Sequence, residues 1–96
     1  MKKTYLLLAA SLGLVKIGCS SNPVKRMIAL RTMNAAATVP LLILSIPEGE
    51  LHDLFQEDRH HGEWFRISQH MIDYLAAIGH EGASDSLKLA SSNFQE

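Results

Sequence analysis

The 96-residue sequence predicts a small α+β domain, with a three-stranded antiparallel sheet flanked by helices in the order β-β-α-β-α-α. Three observations predict it. Two short apolar segments are joined by Ser11-Leu12-Gly13, Ser21-Asn22-Pro23 is a strong helix start, and two later stretches carry apolar residues at helical spacing beyond an aliphatic run. A chain of this length buries only about 60% of the surface its unfolded form exposes, so one core and no second catalytic domain are expected. Cys19 is the single cysteine and cannot form an internal disulfide, so that core must hold the fold by itself.

The first strand is read over residues 4–10 and the second over 14–18, with Gly13 providing the positive φ of a tight turn. The same segment imitates a lipoprotein signal: Lys2-Lys3, an apolar stretch over 5–15, then Gly18-Cys19-Ser20-Ser21. Lys16, three residues before the cysteine, and the break at Ser11-Leu12-Gly13 speak against export. The apolar run is also shorter than the ~20 residues of a membrane span.

Asn22 and Pro23 begin a helix that is expected to reach about Met33, with Val24, Met27, Ile28 and Arg31 on one face and Leu30 and Met33 broadening it. Lys25 and Arg26 then stand near its first turn. Residues 38–46 read as a mostly buried third strand, in which Pro40 suggests an edge position or a late start. A second helix is read over 48–59 from Leu51, Leu54 and Phe55, ended by His61-Gly62. Glu63-Trp64-Phe65-Arg66 is too short to be assigned an element. Ser68 caps a third helix carrying Met71, Ile72, Leu75 and Ile78, closed by Gly79. Beyond His80 a weak helix or loose tail is expected, which divides the chain into a domain at 3–79 and a tail at 80–96.

Charge is unevenly distributed. Before residue 48 there are six basic residues and no acid, whereas from residue 48 onward ten acids face Arg59, Arg66 and Lys88. A basic half can attract a polyanion although the net charge is −1, because local potential does the steering. Arg26 beside a helix N-terminus is a reasonable phosphate ligand, although an isolated arginine there is more often a solvated side chain. Glu63, flanked by Gly62 and the aromatic Trp64 and Phe65, could hold Mg²⁺. Histidines 52, 60, 61, 70 and 80 lack a cysteine pair or an HExxH pattern, and they read as helix-surface and loop residues. Cys19 reads as strand-end packing, since no motif sets a histidine beside it.

Over residues 3–79 these pieces resemble the GIY-YIG nuclease superfamily. The run from Leu14 through Lys16-Ile17-Gly18 to Arg26 resembles the strand, turn and helix start that carry the family's YIG element and its arginine. Glu50-Leu51-His52, Phe55, Arg59 and Gly62-Glu63-Trp64-Phe65-Arg66 resemble a bacterial and phage branch whose glutamate precedes Trp-Phe. The resemblance implies catalytic roles for four residues: Tyr5 positions or activates water, Lys16 stands where the classical YIG tyrosine would be, Arg26 neutralises the scissile phosphate, and Glu63 holds one divalent ion. Leu30 stands where several family nucleases have a histidine or tyrosine.

The resulting expectation is a cytoplasmic DNA endonuclease dependent on Mg²⁺ or Mn²⁺. Lys25, Arg26 and Arg31 are expected to bind nucleic acid, no membrane is expected as a partner, and a second copy or another protein could assist target choice. The alternative is a nucleic-acid-binding or interaction module that retains the scaffold but cleaves poorly. A lipoprotein is the third reading.

Overall fold

The computed structural model describes residues 1–33 and 36–94. It is an α+β fold with a five-stranded antiparallel sheet in the order β3-β1-β2-β5-β4. β1 (Lys3–Ala9) and β2 (Leu14–Ser20) form the central hairpin, pairing from Lys3 with Ser20 to Ala9 with Leu14. Their turn is a short 3-10 segment closed by Gly13 at φ 65°, a conformation that glycine adopts without the Cβ penalty. The segment that imitates a signal peptide thus supplies two strands of the sheet.

α1 (Pro23–Met33) follows β2, and the Lys25 N–H donates to Asn22 Oδ1 at its start. Its buried residues are Met27 and Leu30, whereas Val24 and Ile28 are each 55% exposed and Met33 is exposed. The expected inward face is therefore corrected. Apolar residues surround this helix, so periodicity could not choose a face, and the sheet offers only the small cluster of Tyr5 and Leu7 for Met27 and Leu30 to cover. β3 (Val39–Leu44) lies at the sheet edge beside β1, as Pro40 suggested, and Pro40 marks a register shift. It is shorter than expected and mostly not buried.

α2 is confined to Glu48–Leu54. A 3-10 turn at Gln56–Asp58 then leads into a hairpin of β4 (Arg59–His61) and β5 (Trp64–Arg66), two strands that were not expected. Three-residue strands have no readable period, and β5 owes its place to pairing with Leu14–Lys16 of β2. Gly62, expected to end a helix, instead turns this hairpin at φ 55°. α3 (Gln69–Ala77) begins at Ser68, whose Oγ accepts from the Met71 N–H, and Gly79 at φ 93° follows it.

α4 (Glu81–Phe94) occupies the segment that was expected to be a weak helix or loose tail; residues 95–96 lie outside the described residues. Leu87 is fully buried in it, and the Ser84 hydroxyl donates to the Ile72 carbonyl at 2.8 Å. Helices α2, α3 and α4 cover one sheet face, where Leu6, Leu8, Val15, Ile17 and Phe65 meet Leu51, Phe55, Met71 and Leu87. α1 covers part of the other. No helix among the described residues is long and apolar enough to cross a membrane.

Candidate functional site

Along β2, β5 pairs only with Leu14–Lys16, so beyond Lys16 that side of β2 has no strand neighbour among the described residues. Its backbone groups are met by other means. The Ile17 N–H donates to the Glu63 carbonyl at 2.9 Å, and the Ile17 carbonyl accepts from His52 Nε2 at 2.8 Å. Because an unpaired buried backbone group is costly, this strand edge fixes both Glu63 and His52 against β2. Arg59 Nη2 donates to His52 Nδ1 at 2.9 Å. A guanidinium only donates and a carbonyl only accepts, so the His52 proton resides on Nε2 and both ring nitrogens are engaged.

Glu48 precedes His52 by four residues on α2, which puts the two on one helix face. One ligand atom each from Glu48, His52 and Glu63 lie within 4.8 Å of one another. Burial of Glu48, together with its hydrogen bond to the Glu63 carboxyl and that group's negative charge, raises its pKa. Burial also acts to raise Glu63, but hydrogen bonds from Lys16 and Glu48 and the charge of Lys16 outweigh it, and its pKa is lowered. Of the two carboxyl groups, Glu48 is therefore the one that holds a proton more readily. Glu48 Oε2 is buried with no hydrogen-bond partner among the described residues.

Lys16 Nζ lies 3.1 Å from Glu63 Oε1, with the Lys16 side chain 14% exposed and that of Glu63 40% exposed. The carboxylate remains open to solvent while the lysine is held beneath it. Tyr5 stands opposite Gly18, and its ring occupies the space where a side chain at 18 would be, since a Cβ there would meet Tyr5 Oη at 2.5 Å. Burial first, then the charges of Glu63 and Glu48, raise the Tyr5 pKa against a hydrogen bond from Arg26. Lys16 thus pairs with Glu63, and two residues along β2 Tyr5 stands opposite Gly18 with Arg26 near its hydroxyl.

Lys25 and Arg26 line a shallow depression with Ser20 and Asn22 at the start of α1. Arg31 stands in the last turn, five residues beyond Arg26, about 7.5 Å along the axis and roughly 140° around it. The structure does not bring it to the same face. Cys19 lies beside Glu48; burial first, then the charge of Glu48, raises its thiol pKa.

Glu48 and His52 were not among the expected site residues, and the reading of His52 as a helix-surface histidine is corrected. The available signal was the carboxylate–imidazole spacing in Glu48-Gly49-Glu50-Leu51-His52, one turn apart on a helix. Glu48, His52 and Glu63 form a group that could hold a metal ion, and Glu48 Oε2 in it is buried without a hydrogen-bond partner among the described residues.

The family model of the T5orf172 domain, which occurs in phage and bacterial nuclease-like proteins, matches residues 4–78. No curated protein and no solved structure matched the chain.

Proposed function

Since the chain belongs to the T5orf172 domain family, we propose that it is a divalent-metal-dependent DNA endonuclease of GIY-YIG type. The observation that carries this reading is the Glu48–Glu63 pair, two carboxyl groups held together beside Lys16 with Glu48 Oε2 unpartnered. Like-charged groups are brought so close only where a proton or a cation lies between them. Glu63 and Glu48 would hold Mg²⁺ or Mn²⁺, which when bound supplies a Lewis acid for phosphodiester hydrolysis.

The remaining roles belong to side chains of this chain. Hydrolysis forms a P–O bond to the oxygen of water and breaks one to a sugar oxygen, while negative charge grows on the phosphoryl oxygens. Arg26 offers a guanidinium to those oxygens from a place beside the Tyr5 hydroxyl. Lys16 adds a second positive charge and keeps Glu63 ionised through their ion pair. Gly18 lets the Tyr5 ring lie flat across β2, beneath the phosphate position.

A second reading, a DNA-binding module with little cleavage, is favoured by a different observation. Tyr5 is 1% exposed with a raised pKa, and Leu30 packs with Tyr5 and Leu7 under α1, so neither is placed to accept a proton from water. Nicking of supercoiled plasmid distinguishes the two. Cleavage with Mg²⁺ or Mn²⁺ that is abolished by EDTA and reduced at least ~100-fold by Glu63→Gln is expected. No nicking by folded wild-type protein with either ion would overturn the endonuclease and leave the binding module.

A further inference from the structure

On the sheet face that α1 covers at Tyr5 and Leu7, Ala9 and Leu14 lie farther along and border a pocket of about 290 Å³. Its remaining lining includes Leu12, Thr38, His61 and Trp64, none of which has a role in the chemistry proposed above. The volume equals that of roughly ten waters, enough for one heterocycle and too small for a base pair.

Three observations indicate what enters it. Trp64 joins the pocket to the site: it follows Glu63 in the chain, pairs with Lys16 across the β2–β5 ladder, and receives the Lys16 ammonium 5.6 Å from its ring centroid. It is only half-buried, so aromatic surface remains to be covered. Thr38 is 6% exposed and its Oγ1 has no hydrogen-bond partner among the described residues, a polar group that with His61 interrupts a mostly apolar wall. Finally, Leu14 is two residues from Lys16 on β2, about 7 Å at strand rise, so the pocket adjoins the position where a phosphate would lie against Lys16.

We propose that this pocket receives one unpaired nucleobase of a DNA strand, stacked on Trp64 and hydrogen-bonded at its edge by Thr38. Its phosphate end rests on the nuclease reading; the pocket itself does not. Every base has a π-face, so stacking on Trp64 admits any of them, and the Thr38 hydroxyl, which both donates and accepts, imposes a modest preference. A base fills the pocket only after leaving its stack, so the substrate is single-stranded or locally unpaired DNA at that nucleotide.

Trp64 is the sole tryptophan, so its fluorescence reports the pocket directly. The full chain is titrated in EDTA, where cleavage does not intervene, with a mixed-sequence single-stranded oligonucleotide, an abasic oligomer of equal length, and the matching blunt duplex. Quenching by the base-containing single strand is expected, with the abasic oligomer binding about 5- to 100-fold more weakly and the duplex quenching little. Trp64→Leu, which lacks the fluorophore and is followed by anisotropy of end-labelled strands, should abolish the difference in affinity between base-containing and abasic strands; the wild-type comparison tests the pocket even where that variant fails to fold. Equal affinity for the two strands with unchanged fluorescence would overturn the pocket and leave phosphate binding intact. Equal quenching by the duplex would overturn the requirement for an unpaired base. Failure of every form of DNA to bind at low salt would overturn both this inference and the nuclease reading.

Discussion

The ring of Tyr5 lies across Gly18, so closely that a Cβ at position 18 would stand 2.5 Å from Oη and 2.6 Å from Cζ. Tyr5 is 1% exposed and packed against Leu7, Met27 and Leu30, so it has nowhere to retreat. Gly18→Ala should therefore cost about 1–3 kcal/mol, an overpacking penalty, and lower Tm by several degrees. Tyr5→Leu in the Gly18→Ala background should recover part of that loss. Thermal unfolding of the four proteins checks it, and a single variant as stable as wild type would contradict the close approach.

The opposite pKa shifts of Glu48 and Glu63 set a pH dependence with a definite sign. Glu48 has a raised folded-state pKa, so its contribution to stability is full below the ordinary value of 4.5 and is lost as pH rises through the raised value. Glu63 is lowered, so its contribution is present above 4.5 and is lost as pH falls through the lowered value. In EDTA, the stability of wild type relative to Glu48→Gln should decline as pH rises above 4.5. Divalent-ion affinity should instead increase over that interval, with release of a proton, and should fall in Glu48→Gln. Urea unfolding in EDTA and calorimetric Mn²⁺ titration in two buffers of different ionisation enthalpy measure the two halves.

Lys25 and Arg26 lie at the start of α1, where the positive end of the helix dipole adds to their charge, whereas Arg31 is a turn and a half away. Lys25→Ala and Arg26→Ala should each reduce the slope of log affinity against log salt by about 1, and Arg31→Ala should change it less. Fluorescence anisotropy with labelled DNA at several salt concentrations is the measurement. A full unit lost on Arg31→Ala would place the DNA path over the far end of α1.

The family match ends at residue 78, but the core does not. Leu87 and Ala90 of α4 are buried in it, and Leu87→Ala should cost about 2–5 kcal/mol. A chain ending at Gly79 should unfold or aggregate, since Leu75, Met71 and their neighbours would lose a wall. Chemical denaturation of the substitution and recovery of the truncated chain in the soluble fraction check this. A stable, monomeric truncated chain would show α4 to be dispensable.

The features legible from sequence were those written in local chemistry. The Ser68 cap, the glycine turn at 13, the start of α1 at Asn22-Pro23 and the α+β class all follow from short-range hydrogen bonding, backbone freedom and apolar spacing, and each is present. Tyr5, Lys16, Arg26 and Glu63 could be singled out together because each accompanies a short motif; in the fold Lys16 pairs with Glu63 and Arg26 stands near Tyr5.

What only the tertiary structure decided were relations between distant segments. β5 exists because β2 pairs with it, and three residues carry no period to announce that pairing. Which face of α1 is buried depended on the two side chains beneath it, since its apolar residues point in every direction. α4 is amphipathic but rich in serine and alanine, and its burial becomes evident only against α3. Glu48 and His52 gain their meaning from a free strand edge: the unpaired groups of Ile17 draw in His52 and Glu63, and α2 then delivers Glu48 to the same place. Sequence specified the chemistry available, because cap, turn and charge are properties of neighbouring residues. The sheet specified where that chemistry converges, because hydrogen-bond satisfaction and core closure are properties of the whole chain.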